Sequence, residues 1–186
     1  MASDLQPFET LTAIPKGIIV HTGRVPNVLE VHCHEAPDGR RSLVIRLALF
    51  RDAVTIRVER ACAARLHVAA RQAAAWIASR GRPAEPIPLP ANDRLMTELS
   101  YQPGPLRRIR DLITFAPRID RTLLVGRGLT LIFSRTLRGV PRVALIVIVD
   151  GKVMTDDLQK HDTAGLAAVL GEALDWLKQP ATAAVA

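Results

Sequence analysis

Shifted by one hundred positions, the chain matches itself without a gap, Leu29–Gly81 lying beside Leu129–Ala181. Leu29 meets Leu129, Gly39 meets Gly139 and Thr55 meets Thr155. Ala64, Leu66, Ala73 and Trp76 meet Ala164, Leu166, Ala173 and Trp176. The pattern is stronger than the identities. Each copy has an apolar run, a glycine turn, a longer apolar run and a short strand-like run. Each then ends in an amphipathic helix that carries the copy's only tryptophan. Self-similarity of this kind limits the fold to two like units packed together.

Within the first copy, residues 1–14 read as an irregular lead-in and Gly17–Thr22 as a first strand, with a turn over Gly23–Asn27. Val28–His34 alternates, putting Leu29, Val31 and Cys33 on one face and Glu30, His32 and His34 on the other. That period of two marks a half-buried strand. The sequence Ala36-Pro37-Asp38-Gly39 is a turn, since proline presets φ and glycine accepts a positive one. Leu43, Ile45, Leu47 and Leu49 alternate with outward Arg46 in the next strand. Val54, Ile56 and Val58 alternate with Thr55, Arg57 and Glu59 in the one after. A helix from Ala61 to Ser79 follows, with Leu66, Ala69, Ala73, Trp76 and Ile77 on its apolar stripe and Arg65, Arg71 and Gln72 away from its centre. Gly81 suits its end.

The second copy repeats these elements from about Arg121, with an Asp150-Gly151 hairpin. Asp162 or Thr163 is placed to cap its helix by accepting free amide hydrogens, and Pro180 stops it. The expected organisation is therefore a first ββββα repeat over 15–81, a Pro/Arg-rich connector over 82–111 and a second ββββα repeat over 112–179. One helical turn is expected at Asn92–Leu99 and a short helix at Leu106–Phe115. Each unit leaves an apolar helix stripe and an apolar sheet face, which pairing buries. The fold class is α+β with antiparallel sheets, a pseudo-twofold intramolecular dimer within one compact domain. This order of elements and its repeat spacing resemble the Whirly proteins and the related Pur and transcriptional-coactivator folds. The resemblance covers roughly residues 15–178. It implies binding of single-stranded DNA or RNA over sheet surfaces and edges. The lysine-rich KGKAALS stretch of plant Whirly proteins is missing, so no binding residue is carried over from them.

Charge points the same way. There are 25 Lys and Arg against 18 Asp and Glu, a net +7, and all the basic residues but Lys16, Lys152, Lys160 and Lys178 are arginine. Arginine's planar fork suits phosphate and stacks on bases, and clustered basic residues are the usual footprint of a nucleic-acid binder. The expected contacts are Arg40, Arg41, Arg46 and Arg57 with the Arg107, Arg108 and Arg110 cluster, and Phe50 as a stacking platform. Trp76 and Trp176 lie on apolar stripes and belong to the core, so few aromatics remain for bases.

The outward register of the second copy reads differently: Thr130, Ile132, Ser134, Ala144, Ile146 and Ile148. An apolar outer face needs cover, and Ile132, Ile146 and Ile148 are the expected contact of a homo-oligomer. The alternative function is an assembly or protein-interaction module without nucleic acid. An enzyme has no supporting constellation. His32, Cys33 and His34 cannot converge on one metal from a single strand, and the two histidines are expected to be solvated. Cys62 lacks the partners of a nucleophile. No phosphate-binding glycine loop is present, and no cofactor is expected. No run reaches the roughly 18 apolar residues of a membrane span, and the first ten residues lack a secretory pattern. A cytoplasmic location is the resulting expectation.

Overall fold

The computed structural model describes residues 8–13, 15–26, 28–49, 52–81, 97–99, 118–126, 128–149 and 152–179. Its first half runs β1 (Phe8–Leu11), β2 (Ile18–Val25), β3 (Leu29–Glu35), β4 (Arg41–Leu49), β5 (Asp52–Val58) and α1 (Arg60–Ala78). Its second half runs β6 (Thr97–Leu99), β7 (Arg118–Gly126), β8 (Leu129–Arg135), β9 (Pro141–Val149), β10 (Lys152–Leu158) and α2 (Lys160–Lys178). The chain is α+β, with two antiparallel five-stranded sheets ordered β1-β5-β4-β3-β2 and β10-β9-β8-β7-β6.

Elements β2 to α1 and β7 to α2 follow the same order, and the β3–β4 and β8–β9 registers correspond. Leu29 pairs with Leu47, and Leu129 with Val147. The turns after β3 and β8 are alike. Gly39 N–H donates to the Ala36 carbonyl at 2.9 Å, and Gly139 N–H to the Thr136 carbonyl at 2.8 Å. Both glycines have positive φ. Val149 pairs with Lys152, leaving the two-residue connection expected of Asp-Gly.

Three expectations are corrected. Phe8–Leu11 is not irregular lead-in but a strand on the flank of β5. Thr97–Leu99, inside the stretch expected to make a helical turn, is a strand on the flank of β7. The first strand does not stop at Thr22 but continues to Val25, paired with β3, and helix α2 comes close at Gly23. A Cβ there would stand 2.4 Å from Val169 Cγ1. The short helix expected at Leu106–Phe115 lies outside the described residues.

Each helix packs chiefly on the sheet of the other half. Arg65 of α1 donates to the Val125 carbonyl of β7 at 2.7 Å, and Trp76 meets Phe133 of β8 edge-on at 5.9 Å. In return α2 sets Val169 against Gly23 and Gly165 against Val25. The helices also pack on one another. Arg65 and Gln72, expected away from the stripe's centre, are therefore buried along with Trp76. The inward residues of both sheets and the stripes of both helices form one continuous core. Burial of this apolar surface is the main stabilising term.

Each tryptophan is clasped by an arginine from the opposite half. Arg41 lies 4.6 Å over the Trp176 ring and donates to the carbonyls of Trp176 and Gln179. Arg135 lies 5.1 Å over the Trp76 ring and donates to the Gly81 carbonyl at 2.7 Å. Glu35 holds Arg41, and Asp120 holds Arg135, each at 2.8 Å. Helix α2 begins with a capping box. Asp162 does accept a free amide hydrogen, that of Gln159 at 2.8 Å, while Thr163 Oγ1 donates to the Lys160 carbonyl instead.

Candidate nucleic-acid interface

Alternation in the first sheet turns Leu29, Val31, Leu43, Ile45, Leu47 and Ile56 into the core and leaves the opposite parity on the outer face. Strand pairing aligns that face into rows. One row runs Arg24, Glu30, Arg46, Thr55 and Leu11 across β2, β3, β4, β5 and β1. The next runs Thr22, His32, Val44, Arg57 and Glu9. Arg24, Arg46 and Arg57 keep 70%, 53% and 37% of their side chains exposed. Arg24 and Arg46 flank Glu30 two strand spacings apart, about 10 Å.

These charges are partly answered on the same face. Glu9 takes Arg57 at 2.7 Å. Glu30 faces three nitrogen-bearing side chains at once: Arg24 Nε at 3.3 Å, His32 Nε2 at 3.7 Å and Arg46 at 3.9 Å.

The expected site residues separate. Arg46 and Arg57 share the outer face as expected. Arg40 lies at the β3–β4 turn, exposed and bound to Asp38 at 2.6 Å. Hydrogen bonds from the Arg40 backbone and side chain hold the Asp38 carboxyl below its ordinary range. Arg41 belongs to the Trp176 clasp, on the core side of the sheet. Phe50, Arg107, Arg108 and Arg110 lie outside the described residues. Arg24 was missed because Gly23–Asn27 read as a turn; continuing the alternation of Thr22 and Arg24 would have found it.

The histidines are a correction. His32 and His34 are not a solvated pair but buried, 8% and 2% exposed. His34 Nε2 bonds the Lys16 carbonyl at 3.1 Å, and Gly17 lies against its ring. His32 Nδ1 bonds Thr22 Oγ1 at 3.1 Å. Among the described residues, no hydrogen-bond partner meets His32 Nε2 or His34 Nδ1. No group of three His, Cys, Asp or Glu side chains among those residues is disposed to hold a metal ion. Cys33 and Cys62 are both buried. Burial pushes the Cys33 thiol up to about 11 against the lowering effect of Arg41, which suits packing rather than nucleophilic chemistry.

The outer face of the second sheet has another character. Leu124 stands where the first sheet has Arg24, Ile132 where it has His32, Ile146 where it has Arg46, and Asp157 where it has Arg57. Ile132 and Ile146 are half-buried, while Ile148 is 44% and Val153 64% exposed. At the other end of the face Arg142 and Asp157 pair at 3.5 Å. Among the described residues no helix is long and apolar enough to cross a membrane.

No protein-family model, curated protein or solved structure matches the chain.

Proposed function

We propose that this protein is a non-enzymatic binder of single-stranded DNA or RNA with little sequence preference, as its resemblance to the Whirly, Pur and transcriptional-coactivator folds implies. One observation carries the reading: Arg24, Arg46 and Arg57 stand exposed on one sheet face, at positions where the other sheet has Leu124, Ile146 and Asp157. Their side chains present planar donor forks suited to a phosphate backbone. The reading takes the two halves as tandem units of a pseudo-twofold intramolecular dimer, one face kept for the strand and the other for assembly into a homo-oligomer in the cytoplasm. Arg107, Arg108, Arg110 and Phe50 remain further contacts of this reading.

Fluorescence anisotropy with labelled single- and double-stranded oligonucleotides at several salt concentrations tests it. Single strands should bind more tightly than duplex, with log affinity falling linearly against log salt. Reversing Arg46 or Arg57 to Glu should weaken all sequences alike, since phosphate contacts position without reading bases. Each lost contact should also lower the slope by about 0.7. Equal affinity for duplex, or no binding at low salt, would overturn the reading.

The second reading is an assembly module without nucleic acid. The exposed Ile148 and Val153 beside Ile146 favour it. It expects an oligomer that arginine reversal leaves intact and no oligonucleotide binding.

A further inference from the structure

We infer that Arg24, His32 and Arg46 form a preassembled site for one phosphodiester group, which the Glu30 carboxylate occupies in the free protein. The inference rests on the single-strand reading and names the place on the first sheet where the backbone is held.

The geometry around Glu30 is that of a stand-in. Two arginines and a histidine come from three adjacent strands to one carboxylate, at 3.3, 3.7 and 3.9 Å. Charge-assisted bonds of full strength are about 2.7–2.9 Å long. The structural pairs Arg41–Glu35 and Arg135–Asp120 reach 2.8 Å. Glu30 therefore gathers these three side chains without satisfying any of them. Two permanent positive charges face one negative one, leaving the cluster in excess for an anion. His32 is the second, independent sign. Its ring is buried, Thr22 takes Nδ1, and Nε2 points toward Glu30 with no hydrogen-bond partner among the described residues. An unmade bond on a buried group is costly, and an anionic oxygen seated there accepts from it.

A phosphodiester offers two terminal oxygens in a tetrahedral arrangement, against the single plane of a carboxylate. It meets the forks of Arg24 and Arg46 from solvent, while Glu30, 26% exposed at its side chain, swings out to water. The corresponding positions Leu124, Thr130, Ile132 and Ile146 offer nothing comparable on the second sheet.

The test compares two acids on one face. Removing either charge favours any polyanion, but only Glu30 fills the proposed seat. In anisotropy titrations of the full chain with a single-stranded oligonucleotide, Glu30→Gln should bind about tenfold tighter. Glu9→Gln should gain no more than about fivefold, the upper end for one exposed pair. Adding Arg24→Gln to Glu30→Gln should erase most of the gain. Separately, inorganic phosphate should shift the imidazole proton resonances of His32, assigned through His32→Gln, more than chloride does at equal ionic strength. Oligonucleotide binding with equal gains for Glu30→Gln and Glu9→Gln would overturn the seat and leave the single-strand reading standing. A His32 shift with phosphate and no oligonucleotide binding would support the seat and overturn that reading. Neither signal would overturn both.

Discussion

Trp76 shows how one side chain holds two halves together and what it leaves unmade. It is 7% exposed, set edge-on to Phe133 and covered by Arg135. Truncation to alanine opens a core cavity and should cost about 3–5 kcal/mol. Its indole N–H finds no acceptor among the described residues, and such a group costs about 1–3 kcal/mol. Trp76→Phe removes that donor and keeps a ring, so it should lose far less than Trp76→Ala. Denaturant midpoints of the two variants check this, and equal losses would refute it. Arg80 is a second strained point. It sits in the left-handed region at φ 56° just beyond α1, where Gly81 N–H reaches back to the Trp76 carbonyl at 2.8 Å. Glycine is the usual residue there, and a side chain costs about 1 kcal/mol. Arg80→Gly should stabilise by about 0.5–1 kcal/mol, read as a raised midpoint. The assignment of Arg41 could also be corrected at this scale. It shares the parity of Leu43 and Ile45, so the alternation that placed those leucines and isoleucines inward also placed Arg41 on the core side.

At the scale of elements, β3 to β5 and both helices were legible because alternation and the three-to-four spacing are local signals. The flanking strands were not. FETL and TEL are too short to carry a period, and only their pairing with β5 and β7 makes them strands. Nor was the exchange of helices legible, since an apolar stripe fits either sheet. Its sign in the sequence is glycine where a helix or strand would do better with a side chain. Gly171 lets His67 of α1 approach α2, where a Cβ would stand 3.4 Å from Nε2. Burial there, and then Arg71, hold the His67 imidazole below its ordinary 6.5. A depressed pKa means that the unfolded chain takes the proton first on acidification. The contribution is present above about pH 6.5 and is lost as pH falls below it. The melting temperature should therefore fall between about pH 7 and 5.5, and less so in His67→Gln. A matching fall in that variant would assign the effect elsewhere.

For the molecule as a whole, the two outer faces differ where the inner faces are alike. The inner faces are both apolar and are covered by the exchanged helices. Outside, one face carries Arg24, Arg46 and Arg57 beside Glu9 and Glu30, whereas the other is apolar at one end and carries Arg142 and Asp157 at the other. A twofold contact sets a patch against itself. It can bury Ile146, Ile148 and Val153 on both copies while Arg142 of each meets Asp157 of the other. That complementarity makes a second copy of this chain the expected occupant. Ile146→Arg installs the residue that stands at the same place in the first sheet, Arg46. It puts a charge into the apolar end of the contact on both copies at once, and should convert the assembly to monomer without unfolding it, because Ile146 lies outside the shared core. Light scattering at micromolar protein, with circular dichroism as the control for folding, reads both. Arg46→Glu, on the opposite face, should leave the mass unchanged while weakening the oligonucleotide complex. A monomeric wild type at that concentration, or an Ile146→Arg variant of unchanged mass, would remove the second sheet as the assembly face.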